Sequence, residues 1–388
     1  MTAEVGVINR RGVALAADSA VTINNSKVTN SAVKLFTLDS AHYVGIMFFG
    51  NAELQNIPWE VIIKSYREKI GNVTFAELED YVNDFQKYVA QLDIWDSEEA
   101  RWAMVNKYAL TILTTLRGFI GNGESLDDSI SKTRSLVPAK KSIDVDKNKL
   151  VENFESKIIS EFKSAFANIS DSQCSECVKL VVDFLMSDYT PNDYTGIVFA
   201  GYGKNEMFPS MHSFQVDGVI DGKIKTSNHH ITICNPLKSE NVASITPFAQ
   251  SDVMETVIYG IAPELNSFRQ QQFEQLKESI IKYIPEKERQ NVKATFDDYN
   301  RMFNNHSQSE YVSPIVSMIY NLSVSELGNV AQMLVNLTAF KRKISNDIGT
   351  VGGPTDVLTI SRGEGPVWIK RKEYFNENIN EGYKLRRK

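Results

Sequence analysis

Thr2, Asp18 and Lys34 stand at equal steps of sixteen residues near the start of the chain. Together they have the types that a nucleophilic hydrolysis needs. A threonine hydroxyl is a weak nucleophile until a base sits beside it. On the first residue of a chain the α-amino group can be that base, because its ordinary pKa of about 7.7–8.0 leaves it partly neutral near working pH. Hydroxyl and amine then share one residue, so proximity is built in. A nearby ammonium lowers the hydroxyl's pKa and pushes the amine toward its free base, and Lys34 can supply that charge. A buried lysine needs a counter-ion, which Asp18 can be. The chemistry requires Thr2 to become the first residue, and a small residue after Met1 permits that removal. Taken singly, each residue is ordinary: threonine is common at position 2, an aspartate can end a strand, and a lysine can lie in solvent. Three specified types at three specified positions arise by chance about once in several thousand sequences.

The elements that must hold these residues read as a run of strands. Residues 3–9 alternate weakly, and "GVALAADS" is a short apolar run bounded by Gly12 and Asp18, so two strands joined at "NRRG" are expected. "KLFTL" and "YVGIMFFG" predict two more. The period then changes. "PWEVIIKSYREKI" predicts a helix opened by Pro58 and stopped at Gly71, and Thr74 with Glu77 fits a capping box before a second helix. A third is expected from Glu98 to Ile120, with Val105, Tyr108, Ile112 and Leu116 on its apolar face. Residues 121–147 read as a loop, followed by helices near 149–168 and 172–187. Strands return at "YTGIVFAGYG", "SMHSFQVDG", "HHITICN" and "VASITPFAQ", with a hairpin signal in "VDGVIDGKI". Helices follow from Ser251 through about Ile344, one of them opened by Ser323 and Glu326, and "TDVLTISRG" and "GPVWIKRK" close the chain as strands. Segregated runs of strands and helices favour an α+β fold with antiparallel sheets, two sheets face to face with helices outside.

With these residues in view, the opening resembles the β-type peptidase subunits of the proteasome and their bacterial relatives, the N-terminal-nucleophile hydrolases. "GVALAADSAVT" followed by "AVKLFTL" carries the likeness, with Thr2, Asp18, Thr22 and Lys34 on matching positions. The resemblance implies a four-layer αββα sandwich of two antiparallel sheets with extra helical insertions. "ITPFAQSDVMETVIYG" resembles the family segment that brings a serine near the nucleophile, here Ser251. "SNDIGTVGGPTDVLTISRGEG" resembles its closing Asp-x-x-Ser-Gly-Gly, which carries over Asp347, with Thr350 in place of the serine. Helix cap and turn remain open as plainer roles for Ser251 and Asp347. Where the family has a glycine whose N–H helps form an oxyanion hole, this chain has Met47; a backbone donor survives any side chain but proline. The family core is about half this length. The core is therefore expected over 1–94, 191–261 and 322–388, with helical insertions over 95–190 and 262–321 that serve as packing layers, an oligomer interface or a lid.

The resemblance thus implies a threonine-type hydrolase of peptide or other amide bonds, without cofactor or metal, and working as a homo-oligomer. An ATPase or other protein partner is left open. The alternatives are a catalytically silent scaffold of the same fold and a subunit that only binds a partner. Composition agrees with a globular protein: 388 residues, 42% apolar, 23% charged and a net charge of −6, which disfavours nucleic acid. No apolar run suggests a signal peptide or a membrane span. Three cysteines make no disulfide framework, so a reducing cytoplasm is expected. "CSEC" (Cys174 to Cys177) reads as two helical thiols one turn apart; Cys234 with His229 and His230 could join them in a metal site only if the fold gathered them.

Overall fold

Ala3, Val5 and Val7 alternate with Glu4, Gly6 and Ile8, and the segment is a fully buried strand, β1 (Glu4–Asn9). The computed structural model describes residues 3–23, 27–29, 32–38, 41–237, 243–345 and 352–372. After β1 come β2 (Gly12–Ala17), β3 (Val21–Ile23), β4 (Lys27–Thr29), β5 (Leu35–Thr37), β6 (Val44–Gly50), β7 (Glu53–Leu54) and β8 (Ile57–Pro58). Helices follow: α1 (Trp59–Ile70), α2 (Leu78–Ala90), α3 (Glu98–Gly121), α4 (Leu126–Ser135), α5 (Lys147–Ala165) and α6 (Asp171–Met186). Strands return as β9 (Thr195–Gly201), β10 (Ser210–Ile220), β11 (Lys223–Ile233) and β12 (Ala243–Ala249). The rest is α7 (Asp252–Tyr259), α8 (Pro263–Tyr283), α9 (Glu286–Ser307), α10 (Ser313–Asn321), α11 (Val324–Ile344), β13 (Asp356–Ser361) and β14 (Gly365–Lys370). No helix among the described residues is long and apolar enough to cross a membrane.

The chain divides into two compact units, one of Met1–Phe49, Ala200–Met211 and Thr232–Lys388, the other of Gly50–Phe199 and His212–Ile231. The first is built on an antiparallel sheet in the order β12-β1-β2-β13-β14. One face of that sheet, with Val5, Val7, Ala14, Ala16 and Val357, buries against Leu327, Ala331 and Val335 of α11. Those three recur at four-residue steps, so they line one side of the helix. Ser323 and Glu326 close a capping box at its start, as the sequence predicts. On the other face a Cβ at Gly45 of β6 would meet Leu15, Leu358 and Ile360, so β6 lies within van der Waals reach of the sheet. Gly201 has φ +135°, and a side chain there would strike the Tyr43 carbonyl; glycine lets the backbone close in, and Tyr202 N donates to Tyr43 O at 2.9 Å. Neither α8 nor α9 buries a residue; Phe273 of α8 packs on Phe296 and Tyr299 of α9.

The second unit holds a helix-on-helix core as well as most of β9, β10 and β11, where Phe199 of β9 packs on Phe214 of β10 and on Phe85 of α2. Val105, Tyr108, Ile112 and Leu116 of α3 meet Phe154, Ile158 and Phe162 of α5 and Val178, Val181 and Leu185 of α6. The turn from β10 to β11 falls on Asp221 and Gly222, both at positive φ, as the Asp-Gly signal predicts. Two local readings are corrected. Residues 121–147 are not loop throughout: Ser125 caps α4, in which only Leu126 and Ile130 are strongly apolar and packed inward, too little to show as a period. The capping box of α2 is Glu77 with Asp80, one turn later than Thr74 with Glu77. The four-layer αββα sandwich is corrected as well. The described residues form two units, the second with a helix-on-helix core of α3, α5 and α6, and helix outweighs strand along the chain. The apolar faces of α3, α5 and α6 bury against one another, which leaves them no need of a sheet to cover.

Candidate functional site

The site grows from the start of β1 in the first unit. Register brings Glu4 opposite Ala17, so Asp18, just past the end of β2, lies across from Ala3. Asp18 N donates to Ala3 O at 3.1 Å, and Ala3 N donates to Asp18 Oδ1 at 3.3 Å. The other carboxylate oxygen accepts from Gly352 N at 3.0 Å. Lys34 stands just before β5, where Phe48 N donates to its carbonyl at 3.1 Å, and its ammonium donates to Asp18 Oδ1 at 2.7 Å. Both side chains are 1% exposed. A buried charge is tolerated only when paired and hydrogen-bonded. Asp18 meets that condition with two backbone donors and one ammonium.

Around this couple lie residues that the sequence reading did not single out. Glu4 is fully buried, its Oε1 3.2 Å from Lys34 Nζ. Lys372 donates to Ser19 Oγ at 2.6 Å and to the Ala32 carbonyl, and stands 3.5 Å from Asp356 Oδ2. Burial pulls its pKa below the ordinary lysine value, with Asp356 and Asp18 opposing and Lys34 adding to the fall. The Ser19 hydroxyl in turn donates to Pro354 O at 2.6 Å. Glu4 left a signal in the sequence, a lone charge inside an apolar alternation. Lys372 left none, because it comes from 338 residues away.

The other sequence candidates fall as follows. Thr2, Asp347 and Thr350 lie outside the described residues. Thr22 lies in β3, with Val28 as its cross-strand partner. Met47 is fully buried opposite Leu35 in the β5–β6 pair. Lys34 and Phe48 hold the bonded position beside it, so the Met47 N–H faces away from β5. Ser251 is the cap residue of α7, yet its hydroxyl makes no cap bond. Because β12 runs antiparallel to β1 with Ala249 opposite Glu4, Ser251 follows at the end of the sheet where β1 begins. Cys174, Cys177 and Cys234 are free and buried; the first two share α6 as read. Burial raises the thiol pKa to about 12 at Cys177 and at Cys234, which keeps them from acting as thiolates. No group of three His, Cys, Asp or Glu among the described residues could hold a metal.

No protein-family model and no curated protein matches the chain. Solved structures do. Anbu (ancestral beta-subunit) from Yersinia bercovieri is 9% identical, with 99% of this chain and 94% of that chain covered, at a TM-score of 0.32. Anbu from Hyphomicrobium sp. strain MC1 is 8% identical, with 99% and 94% covered, at 0.33. The helical assembly of the Anbu complex from Pseudomonas aeruginosa is 8% identical, with 99% and 92% covered, at 0.35. These findings correct the resemblance read from the opening. The neighbours are Anbu proteins, a family distinct from the proteasome β-subunits. The short motif "GVALAADSAVT" was too little sequence to separate the two. At these TM-scores the likeness carries no argument about activity.

Proposed function

We propose that the protein is an N-terminal threonine hydrolase of peptide or other amide bonds, active once Met1 is removed. Thr2 Oγ attacks the carbonyl and the free α-amine takes its proton; the amine then protonates the leaving group, and water releases the acyl-enzyme. Lys34 supplies positive charge and Asp18 fixes it. Ser251 lies at the same end of the sheet and is assigned a polar contact with the reacting groups. The single observation that carries this reading is the buried 2.7 Å couple of Lys34 and Asp18, whose carboxylate also binds the N–H of Ala3, the residue bonded to Thr2. Asp347 and Thr350 are assigned to the same site on sequence alone.

The test uses a peptidyl epoxyketone, whose ketone takes a hydroxyl and whose epoxide takes an amine of the same residue. Intact mass should show a chain without Met1 and one inhibitor bound at Thr2. Thr2→Ala should take none. A chain that keeps Met1 in full favours the silent scaffold instead.

We further propose that copies of the chain associate through α8, α9 and α11, where Leu265, Phe268, Tyr283, Met302 and Phe340 are exposed. Light scattering that gives a monomer at all concentrations would reject this. Free, buried cysteines support a reducing cytoplasm.

A further inference from the structure

Helix α3 carries two stripes. Val105, Tyr108, Ile112 and Leu116 bury in the helical core. On another face Glu99, Asn106, Leu110, Thr111, Thr114 and Thr115 recur at helical spacing and line a cavity of about 730 Å³ within the second unit. Cavities that take small organic ligands run from about 300 to 1,000 Å³. From Glu99 to Thr115 the stripe climbs about 24 Å of helix, a length that suits an extended ligand. Asp193, in the segment before β9, lines the same cavity. The chemistry of this surface is one-sided. Each threonine hydroxyl gives its proton to the carbonyl four residues back: Thr111 to Lys107 O at 2.8 Å, Thr114 to Leu110 O at 2.9 Å and Thr115 to Thr111 O at 2.9 Å. Only their lone pairs are left to meet a ligand. Asn106 Oδ1 is buried with no donor among the described residues, which is costly for an amide oxygen.

Glu99 and Asp193 are exposed carboxylates. Asp193 accepts from the neutral amide of Asn51 at 2.9 Å, and no cation among the described residues pairs with either. The two lysines in the lining are already held: Lys107 donates to Asp217 at 3.2 Å, and Lys157 stands 2.6 Å from Glu98. An occupant therefore meets acceptors and negative charge, beside the half-exposed hydrocarbon of Leu110. We infer that the cavity along α3 is a binding site for a linear aliphatic polyamine. Its ammonium groups donate to Glu99, Asp193 and the threonine oxygens, and the methylenes between them lie along Leu110. A peptide strand fits less well, because it brings as many carbonyls as N–H groups to a face with few donors. An anion meets the two lysines only beside the carboxylates that hold them. The site lies wholly in the second unit and does not depend on the hydrolase reading.

The experiment is equilibrium dialysis of radiolabelled spermidine against the full chain at about 0.1 M salt, where surface charges farther apart than about 10 Å are screened. Wild type should show a single saturable site. Glu99→Gln combined with Asp193→Asn should weaken it by about tenfold or more. Glu286→Gln combined with Glu288→Gln removes the same charge from the start of α9 and should leave the affinity within about twofold. Equal weakening by the two pairs means a general response to net charge and overturns the inference, as does wild type without saturable binding. If the first pair does not fold, Thr114→Val decides: it removes one exposed acceptor and should weaken binding about threefold, and an unchanged affinity overturns the inference. Hydrogen exchange of the wild-type chain places the ligand. Spermidine should slow exchange in residues 99–115 and 189–193; protection confined to other segments, or protection of these by inorganic phosphate in place of spermidine, overturns it.

Discussion

Lys34 and Lys225 are each 1% exposed, but they are buried in different company. Lys34 is met by carboxylates, Asp18 at 2.7 Å and Glu4 at 3.2 Å, beside the residue that follows Thr2. Lys225, in the other unit, is met mostly by neutral oxygens. Its ammonium donates to the Tyr108 hydroxyl and the Tyr189 carbonyl at 2.7 Å and to the Leu185 carbonyl at 2.9 Å, while Asp217 stays at 3.7 Å. Leu185 is in the last turn of α6, where carbonyls lack helical partners. Lys225 thus ties the end of α6 to Tyr108 of α3 and to the Tyr189 carbonyl just beyond the helix, and Asp217 is shared with Lys107 and with the Tyr108 hydroxyl. A lysine saturated by neutral oxygens is a clasp. A lysine between two carboxylates at the head of a chain sets an electrostatic potential there. Burial alone does not separate the two; the identity of the partners does.

The largest expected effect tests that contrast directly. Lys34→Ala should slow epoxyketone capture at Thr2 by about a thousandfold, comparable to losing a positioned charge at a reacting centre. Lys225→Met should leave capture at pH 7 within about twofold. Stability should respond in the second variant: removing Lys225 strands three acceptors and weakens the neutralisation of Asp217, a loss of about 3–5 kcal/mol in urea unfolding. If Lys225→Met abolished capture while its unfolding curve stayed in place, the division between clasp and charge source would fail.

A smaller effect is the pH dependence of the clasp. Burial pushes the Lys225 pKa down to about 8, against the pull of Asp217. An unfolded chain holds that proton up to about 10.4. Between the two values the unfolded state binds more protons than the folded one, so stability contributed by this site rises with pH. Wild type minus Lys225→Met should therefore gain about 1.5 kcal/mol between pH 8 and about pH 9.5, tyrosine titration being common to both proteins. Urea unfolding of both proteins at the two pH values reads the difference. A constant or falling difference would mean that the hydrogen bonds of the ammonium outweigh its desolvation.

The two lysines also show what a sequence can reveal. Lys34 was legible because its partner Asp18 and Thr2, its target in the proposed hydrolase, sit in the same short stretch, and a fixed spacing of chemically apt types stands out without a structure. Lys225 was silent, since its partners Tyr108, Leu185 with Tyr189, and Asp217 come from three separate segments and carbonyls have no residue type. The same distinction runs through the fold. The β1–β2 hairpin, the Asp221–Gly222 turn and the Ser323 capping box are local, and each was readable. Glu4 was visible as a charge inside an apolar strand, but its meaning depended on Lys34 coming back to it. Helix α4 was hidden because a short helix with only Leu126 and Ile130 as strongly apolar inward residues shows too little of a period to detect. The division into two units was not legible, because periodicity reports which face a helix buries and not what covers it.

The smallest effect separates the hydroxyl from the charge within the clasp. Tyr108 lies between Lys225, which donates to its oxygen, and Asp217, which accepts its proton. Burial, and then the charge of Asp217, raise the pKa of that phenol well above 10, so it stays a neutral donor throughout the accessible pH range. Tyr108→Phe keeps the ring over which the Lys225 ammonium sits, 4.7 Å from its centre, and removes only the bridge. Lys225 keeps its two carbonyl acceptors and Asp217 keeps Lys107, so the cost should be about 1–2 kcal/mol, well below that of losing the lysine. Combined with Lys225→Met the two losses should fall short of additive, because they remove one shared hydrogen bond. Full additivity in urea unfolding would mean that the lysine holds the α6 end without the tyrosine, and the clasp would shrink to an ordinary helix cap.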